Sequence, residues 1–209
     1  MDVSKITVNA QSSIRIDAGK IIYFDPFSIE DEAHDADYIF LTHDHYDHFS
    51  PEDISKVAKS GTIFVAPDGM KGKLGNIQGA SGGMIVKPGE AYKTDDFGFE
   101  TVPSYNPMKP FHPKRAGWVG YILELDGKRI YVAGDTDATK EAKAVRCDIA
   151  LIPIGGTFTM NYKEAASLIN VIKPEYVIPT HYGDVVGSKS DGDSFAGLVD
   201  SGIKVEFRL

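Results

Sequence analysis

The chain has 209 residues, 42% of them hydrophobic and 25% charged, which suits one soluble globular domain with a real core and argues against disorder. Its formal net charge of −8 repels polyanions on average and disfavours nucleic-acid or anionic-membrane partners, although bound divalent metals would add positive charge locally. The lone cysteine, Cys147, excludes an internal disulfide and a cysteine-built zinc knuckle, and it fits a reducing compartment.

Met1-Asp2-Val3-Ser4-Lys5 has no apolar run behind a basic head, and no stretch approaches the length of a membrane span, so a cytoplasmic protein is expected. Ile6 with Val8, Ile14 with Ile16 and Ile22 with Phe24 alternate in short bursts and predict a β-meander, which Asp25-Pro26 ends. Tyr38 to Leu41 reads as a strand buried on both faces, and a histidine-rich loop follows it at once. Ser50-Pro51-Glu52-Asp53 opens a helix, with a capping serine, a proline in the first turn and acids at the positive end of the dipole. Thr62 to Ala66 is a further buried strand. Residues 68–90, rich in glycine, read as turns and short connections, and no phosphate-binding loop is among them.

Phe97 to Val102 returns to strand character, and 103–117 form a polar loop punctuated by prolines. Val119 to Leu125 and Arg129 to Ala133 flank Asp126-Gly127, a tight-hairpin signal. Ile149 to Ile154 is a buried strand ending in Gly155-Gly156. Asn161 with Glu164 forms a capping box that opens a helix to about Ile172. Tyr176 to Pro179 is the last buried strand before Thr180-His181. A short helix over Ser194 to Asp200 and a strand over Lys204 to Phe207 complete the chain. There is no short-period repeat, but both halves run from several strands to a polar loop at a strand end.

The sharpest feature is Thr42-His43-Asp44-His45-Tyr46-Asp47-His48, which gathers three of the six histidines of the chain. A loop with this spacing can point His43 and His45 to one side and Asp47 and His48 to another. Imidazole and carboxylate together suit zinc, manganese or iron. Gly134-Asp135-Thr136 directly follows one predicted strand and His181 follows another. Loops at strand ends collect functional groups because the rigid sheet positions them. Alone, Asp135 reads as a turn residue and His181 as a loop histidine; beside the first motif both become candidate ligands.

This pattern, with Asp25-Pro26-Phe27, Ile152-Pro153-Ile154-Gly155-Gly156 and Ile178-Pro179-Thr180-His181-Tyr182, resembles the metallo-β-lactamase fold superfamily across nearly the whole chain. Within it, the chain is similar to a compact branch of metal-dependent hydrolases related to the ascorbate-6-phosphate lactonases. The resemblance implies an α+β fold, a four-layer αβ/βα sandwich, in one domain over 1–209. It also implies two divalent metal ions, foremost zinc: His43 and His45 on the first, Asp47, His48 and His181 on the second, Asp135 bridging them. A metal-bridging hydroxide would then attack a small ester, lactone or phosphate-containing substrate, with Asp47 as the catalytic carboxylate that orients it and passes a proton to the leaving group. Asp25 is expected to accept the other N–H of a ligand histidine.

One ligand of that family pattern is displaced. Where a third histidine is expected for the first metal, this chain has Val102-Pro103-Ser104-Tyr105-Asn106; His112 is the only histidine between positions 49 and 134. His112 is therefore expected to complete the first site, with a substrate-binding histidine or a water-completed site of weak metal affinity as the alternatives. Lys109, Lys114 and Arg115 make a basic knot around it, read as a clamp for an anionic small-molecule substrate or as a solvated loop. Tyr105 and Asn106 are expected to hydrogen-bond substrate. The alternative functions are an RNA or nucleotide phosphodiesterase, disfavoured by the acidic charge, and a catalytically silent metal-binding module. Homo-oligomers are compatible with the sequence, which assigns no interface.

Overall fold

The computed structural model describes residues 1–74 and 83–209. One six-stranded sheet is ordered along the chain: β1 (Ile6–Val8), β2 (Ile14–Asp17), β3 (Ile21–Phe24), β4 (Ala36–Phe40), β5 (Ala58–Pro67) and β6 (Met84–Val86). The second contains seven strands: β7 (Ala91–Lys93), β8 (Gly98–Pro103), β9 (Val119–Leu125), β10 (Lys128–Val132), β11 (Ile149–Pro153), β12 (Tyr176–Thr180) and β13 (Lys204–Val205). Each sheet begins as an antiparallel meander and ends in parallel strands, joined by the crossovers that parallel pairing requires.

The predicted meander registers as its alternation demands. Ile16 pairs with both Ile6 and Ile22, and Ile14 with both Val8 and Phe24, so these side chains line one face. That face meets the inner face of the second sheet in a central core holding Phe24, Phe40, Phe99 and Tyr121. Phe40 stacks on Phe24 with ring centroids 5.1 Å apart and meets Tyr121 edge-on at 5.0 Å. The outer face of the first sheet packs on α1 (Pro51–Val57) and the short α2 (Lys71–Leu74). The outer face of the second packs on α3 (Lys140–Lys143), α4 (Tyr162–Ile172) and α5 (Ser190–Ala196). Three apolar layers between four layers of structure make the αβ/βα sandwich expected of the sequence.

Several local readings are refined. β5 starts at Ala58, before the expected Thr62, through Lys59-Ser60-Gly61, whose polarity hid the pairing. The strand Ala91–Lys93 and the turn of helix Lys140–Lys143 were not expected; Thr139 caps the latter by accepting from the Ala142 N–H. The last helix lies over Ser190–Ala196 rather than 194–200, because Asp191 reaches back to the Ser188 N–H at 2.7 Å and Gly197 closes it. The final strand stops at Val205, and Arg208 turns to the Ile6 carbonyl. Of the connection expected over 68–90, residues 75–82 lie outside the described residues; its flanks form a 3-10 turn (Asp68–Met70), α2 and β6.

The capping box at Asn161 is complete: its side chain accepts from the Lys163 and Glu164 N–H groups, and Glu164 accepts from the Asn161 N–H at 2.9 Å. Asn161→Ala leaves those donors to water and is expected to cost about 1 kcal/mol. In a thermal melt this lowers Tm by about 2–4 °C without changing the far-UV spectrum.

Candidate metal centre

Parallel strands end at one edge, so the loops after β3, β4, β10 and β12 gather there with Asp25, Thr42 to His48, Asp135 and His181. β8 runs the same way as β10 and delivers the loop 104–118, with His112, to the same edge. The two halves are tied at the motif itself. The Tyr121 hydroxyl donates to the Leu41 carbonyl at 2.6 Å, and the Val119 N–H to the Thr42 carbonyl at 3.2 Å. Gly134, at φ +63°, admits the Thr42 side chain where a Cβ would sit 3.1 Å from it. A Cβ at Gly155 would overlap the His181 carbonyl oxygen. His181 and Asp25 themselves hold left-handed backbone angles of +55° and +44°, the local strain that functional loops carry when their surroundings enforce it.

Two groups of donor atoms result. His43, His45 and His112 place nitrogens within 4.8 Å of one another, and so do the ligand atoms of Asp47, His48 and His181. Asp135 lies between the groups. Its Oδ2 is 3.3 Å from His112 Nε2, 3.4 Å from His181 Nε2 and 3.9 Å from His43 Nε2; its Oδ1 is 3.2 Å from His48 Nε2. His112, which the sequence placed here by elimination, thus joins the motif histidines. Asp25, which also lies close to His43 and His48, is already engaged: it accepts from the Thr42 N–H at 2.8 Å, the Thr42 hydroxyl at 2.6 Å and His48 Nδ1 at 2.7 Å. Its oxygens are thus already taken up by Thr42 and His48.

The tautomers follow from these partners. His48 Nδ1–H donates to Asp25, His43 Nδ1–H to the Thr42 hydroxyl at 2.9 Å, and His112 Nδ1–H to the Asn106 side-chain carbonyl at 2.8 Å. In the neutral rings each Nε2 is then a bare lone pair, and those of His48 and His112 face the Asp135 carboxylate, which can only accept. His43 Nε2, His48 Nε2, His112 Nε2 and Asp135 Oδ1 are all buried with no hydrogen-bond partner. A buried set of acceptors facing one another with no donor among them is unfavourable unless a cation stands at their focus. The donor chemistry fits divalent metals that accept nitrogen and oxygen.

The electrostatics agree. Burial, with His48 nearby, holds His43 well below its ordinary pKa and lowers His45 too, keeping both as the neutral imidazoles a metal needs. Burial disfavours the charge on Asp135, yet His181 and His48 outweigh it and hold the carboxyl well below its usual range. Burial likewise opposes charge on His48, but Asp135 and Asp25 draw its pKa well above the ordinary value: with no cation at that point a proton on Nε2 takes the place that a cation would fill. Asp47 stays ionised: burial raises its pKa, and the hydrogen bond with His181 and the charge of His48 lower it further.

The basic knot is organised differently from the expected clamp. Lys109 pairs with Asp137 at 2.7 Å, and Lys114 pairs with Glu141 at 2.7 Å while lying over the Tyr105 ring. The Tyr105 hydroxyl donates to Glu141, and the Asn106 carbonyl is taken by His112. Lys114, Arg115, Tyr105 and Asn106 line a hollow of their own, whereas the cavity of about 580 Å³ touching His45, Asp47, Asp135 and His181 is walled by Tyr46, Phe111, Phe158 and Val185. Of the four residues expected to meet substrate, Lys114, Tyr105 and Asn106 thus have internal partners, and all four lie in that separate hollow. Sequence reasoning missed Thr42 as a link between Asp25 and His43, and it missed the apolar wall. Phe111 had a signal, as the neighbour of His112; Phe158 had none. Trp118, with ring centroids 5.1 Å from His43 and 4.9 Å from His45, packs against the first group.

A family model described as a beta-lactamase superfamily domain matches residues 5–181. The chain is 32% identical to a UPF0173 metal-dependent hydrolase of Pyrococcus furiosus, covering 96% of this chain and 94% of that one. A relative of the same name in Staphylococcus haemolyticus is 29% identical over 95% and 94%. Among solved structures, a protein of Parabacteroides distasonis carrying a metal-dependent hydrolase name superposes with a TM-score of 0.84 at 33% identity, covering 97% of this chain and 91% of that one.

Asp25→Ala removes the acceptor that orients His48 and strands two Thr42 donors. Divalent-metal affinity in chelator competition is expected to fall about 10–100-fold, and Tm is expected to fall as well. Unchanged affinity would show that the Asp25–His48 bond does not act on the metal centre.

Proposed function

The chain belongs to the beta-lactamase superfamily, and on that premise we propose that it is a small-molecule hydrolase working with two divalent cations, zinc foremost. His43, His45 and His112 would hold one, Asp47, His48 and His181 the other, with Asp135 between. The observation that carries this reading is the convergence of buried, donor-free acceptors on both sides of Asp135. Cations held there would supply a water nucleophile near neutral pH and polarise the oxygen of the scissile group.

The rest is done by side chains. Asp47 is the carboxylate that both joins a donor group and lines the cavity. One of its oxygens meets His181 Nε2 at 3.2 Å, which leaves the other to take a proton from water and return it to the leaving group. Asp135 is 3% exposed and lies between the two donor groups, so its role is to hold charge between them. Thr42, Asp25 and Asn106 fix the imidazole orientations from behind. Phe111 and Phe158 restrict water on the open side. Among ester, lactone and phosphate substrates, the neutral ones are favoured, since the lysines that would bind phosphate are held in ion pairs. For the same reason RNA is disfavoured.

With an activated neutral ester such as 4-nitrophenyl acetate, Asp47→Asn and Asp135→Asn are each expected to lower kcat/KM by about 10²–10⁴-fold. Circular dichroism should remain unchanged. Treatment with chelator should abolish turnover, and Zn²⁺, Mn²⁺ or Fe²⁺ should restore it. Wild-type rates in both variants, or in the metal-free chain, would contradict the reading.

A further inference from the structure

The cavity beside the donors has two unlike walls. His45, Asp47, Asp135 and His181 form one, and Tyr46, Phe111, Phe158 and Val185 the other. Phe111 and Phe158 come from loops 47 residues apart yet meet edge to face with centroids 4.7 Å apart. Tyr46, Phe111 and Val185 are 66%, 40% and 44% exposed. Large apolar side chains left open around a concave, preformed hollow mark a surface that something apolar covers. The hollow of about 580 Å³ is ample for a phenyl group together with a scissile ester.

Charge points the same way. No Lys or Arg is among the described residues lining this cavity. Lys109 and Lys114 lie on Asp137 and Glu141, and Lys73 lies on Asp44, cancelling that carboxylate at the rim. Asp47 and Asp135 are engaged by the cations of the reading above, so an anionic tail lying along the opposite wall would meet apolar rings with no side-chain cation to receive it.

We infer that the site takes neutral esters whose acyl part carries an apolar group of about phenyl size, seated against Phe111, Phe158 and Val185. This rests on the hydrolytic reading above. Water adds across the acyl–oxygen bond: that bond breaks, the water oxygen goes to the acid and a proton to the alcohol, with no redox partner. The aromatic wall contributes by burying the acyl group; a single methylene in such a pocket is worth about 10–200-fold.

The test uses the metal-loaded full chain and esters that share one small leaving group: trifluoroethyl benzoate, acetate and hemisuccinate, with acid release followed by pH-stat. We expect kcat/KM for the benzoate to exceed that for the acetate at least tenfold, with the hemisuccinate lowest. Phe158→Ala and Phe111→Ala should lower the benzoate value at least tenfold and the acetate value less than threefold. Turnover of all three esters without this order, or an equal loss on benzoate and acetate in both variants, overturns the inference and leaves the hydrolytic reading standing. A second readout does not need turnover: calorimetric binding of benzohydroxamate against acetohydroxamate. A tenfold preference for the former, lost in Phe158→Ala, with no ester cleaved, would keep the apolar acyl pocket and defeat the hydrolytic reading. No preference in binding overturns the inference.

Discussion

Everything at the functional edge depends on one electrostatic arrangement: buried imidazole nitrogens and a buried carboxylate brought face to face, a set that needs positive charge at its centre. Asp135 Oδ1 lies 3.2 Å from His48 Nε2 and its Oδ2 lies 3.3 Å from His112 Nε2, while the opposite nitrogens of both rings are already spent on Asp25 and Asn106. In water these groups would be solvated; inside the protein they repel unless a cation lies among them. The surrounding hydrogen bonds do not relieve this arrangement. They enforce it, because each fixes a tautomer that turns a bare lone pair inward.

The sandwich supplies the rigidity that such an arrangement needs. The donor loops leave strand ends at one edge of two different sheets, so any slip between the sheets would separate the donor groups. The aromatic core around Phe40 and Tyr121 resists that slip, and the Tyr121 hydroxyl reaches out of the core to hold Leu41, next to the motif. Core packing and site geometry therefore share a side chain. The glycines at 134 and 155 let backbone approach where a methyl group would collide.

Contiguous features were legible in the sequence. The motif from His43 to His48 lies within one loop, and strand-end placement of Asp135 and His181 follows from hydrophobic runs. Asp25 was singled out because it ends a strand within the stretch that carries the resemblance and a ligand histidine needs an acceptor, and His112 because no other histidine lies in its interval. The fates of Lys109 and Lys114 were not, because Asp137 and Glu141 are 28 and 27 residues away and nothing local marks the pairing. A lysine beside a candidate ligand looks like a clamp until its partner is seen. Phe158 was equally hidden: one aromatic in a short turn acquires meaning only when Phe111 packs against it. The helix over Ser190–Ala196 was misplaced because its start is marked by the Ser188 N–H donating to the Asp191 carboxylate, not by apolar periodicity.

The central claim is that the two donor groups hold one cation each, with His112 completing the first. Metal per chain, measured by plasma mass spectrometry on protein purified without chelator and reconstituted with zinc, tests it directly in the wild type and in His112→Ala. The account predicts close to two ions per wild-type chain and close to one in the variant. One ion or none in the reconstituted wild type would contradict the two-cation site, and two ions in both proteins would take His112 out of it.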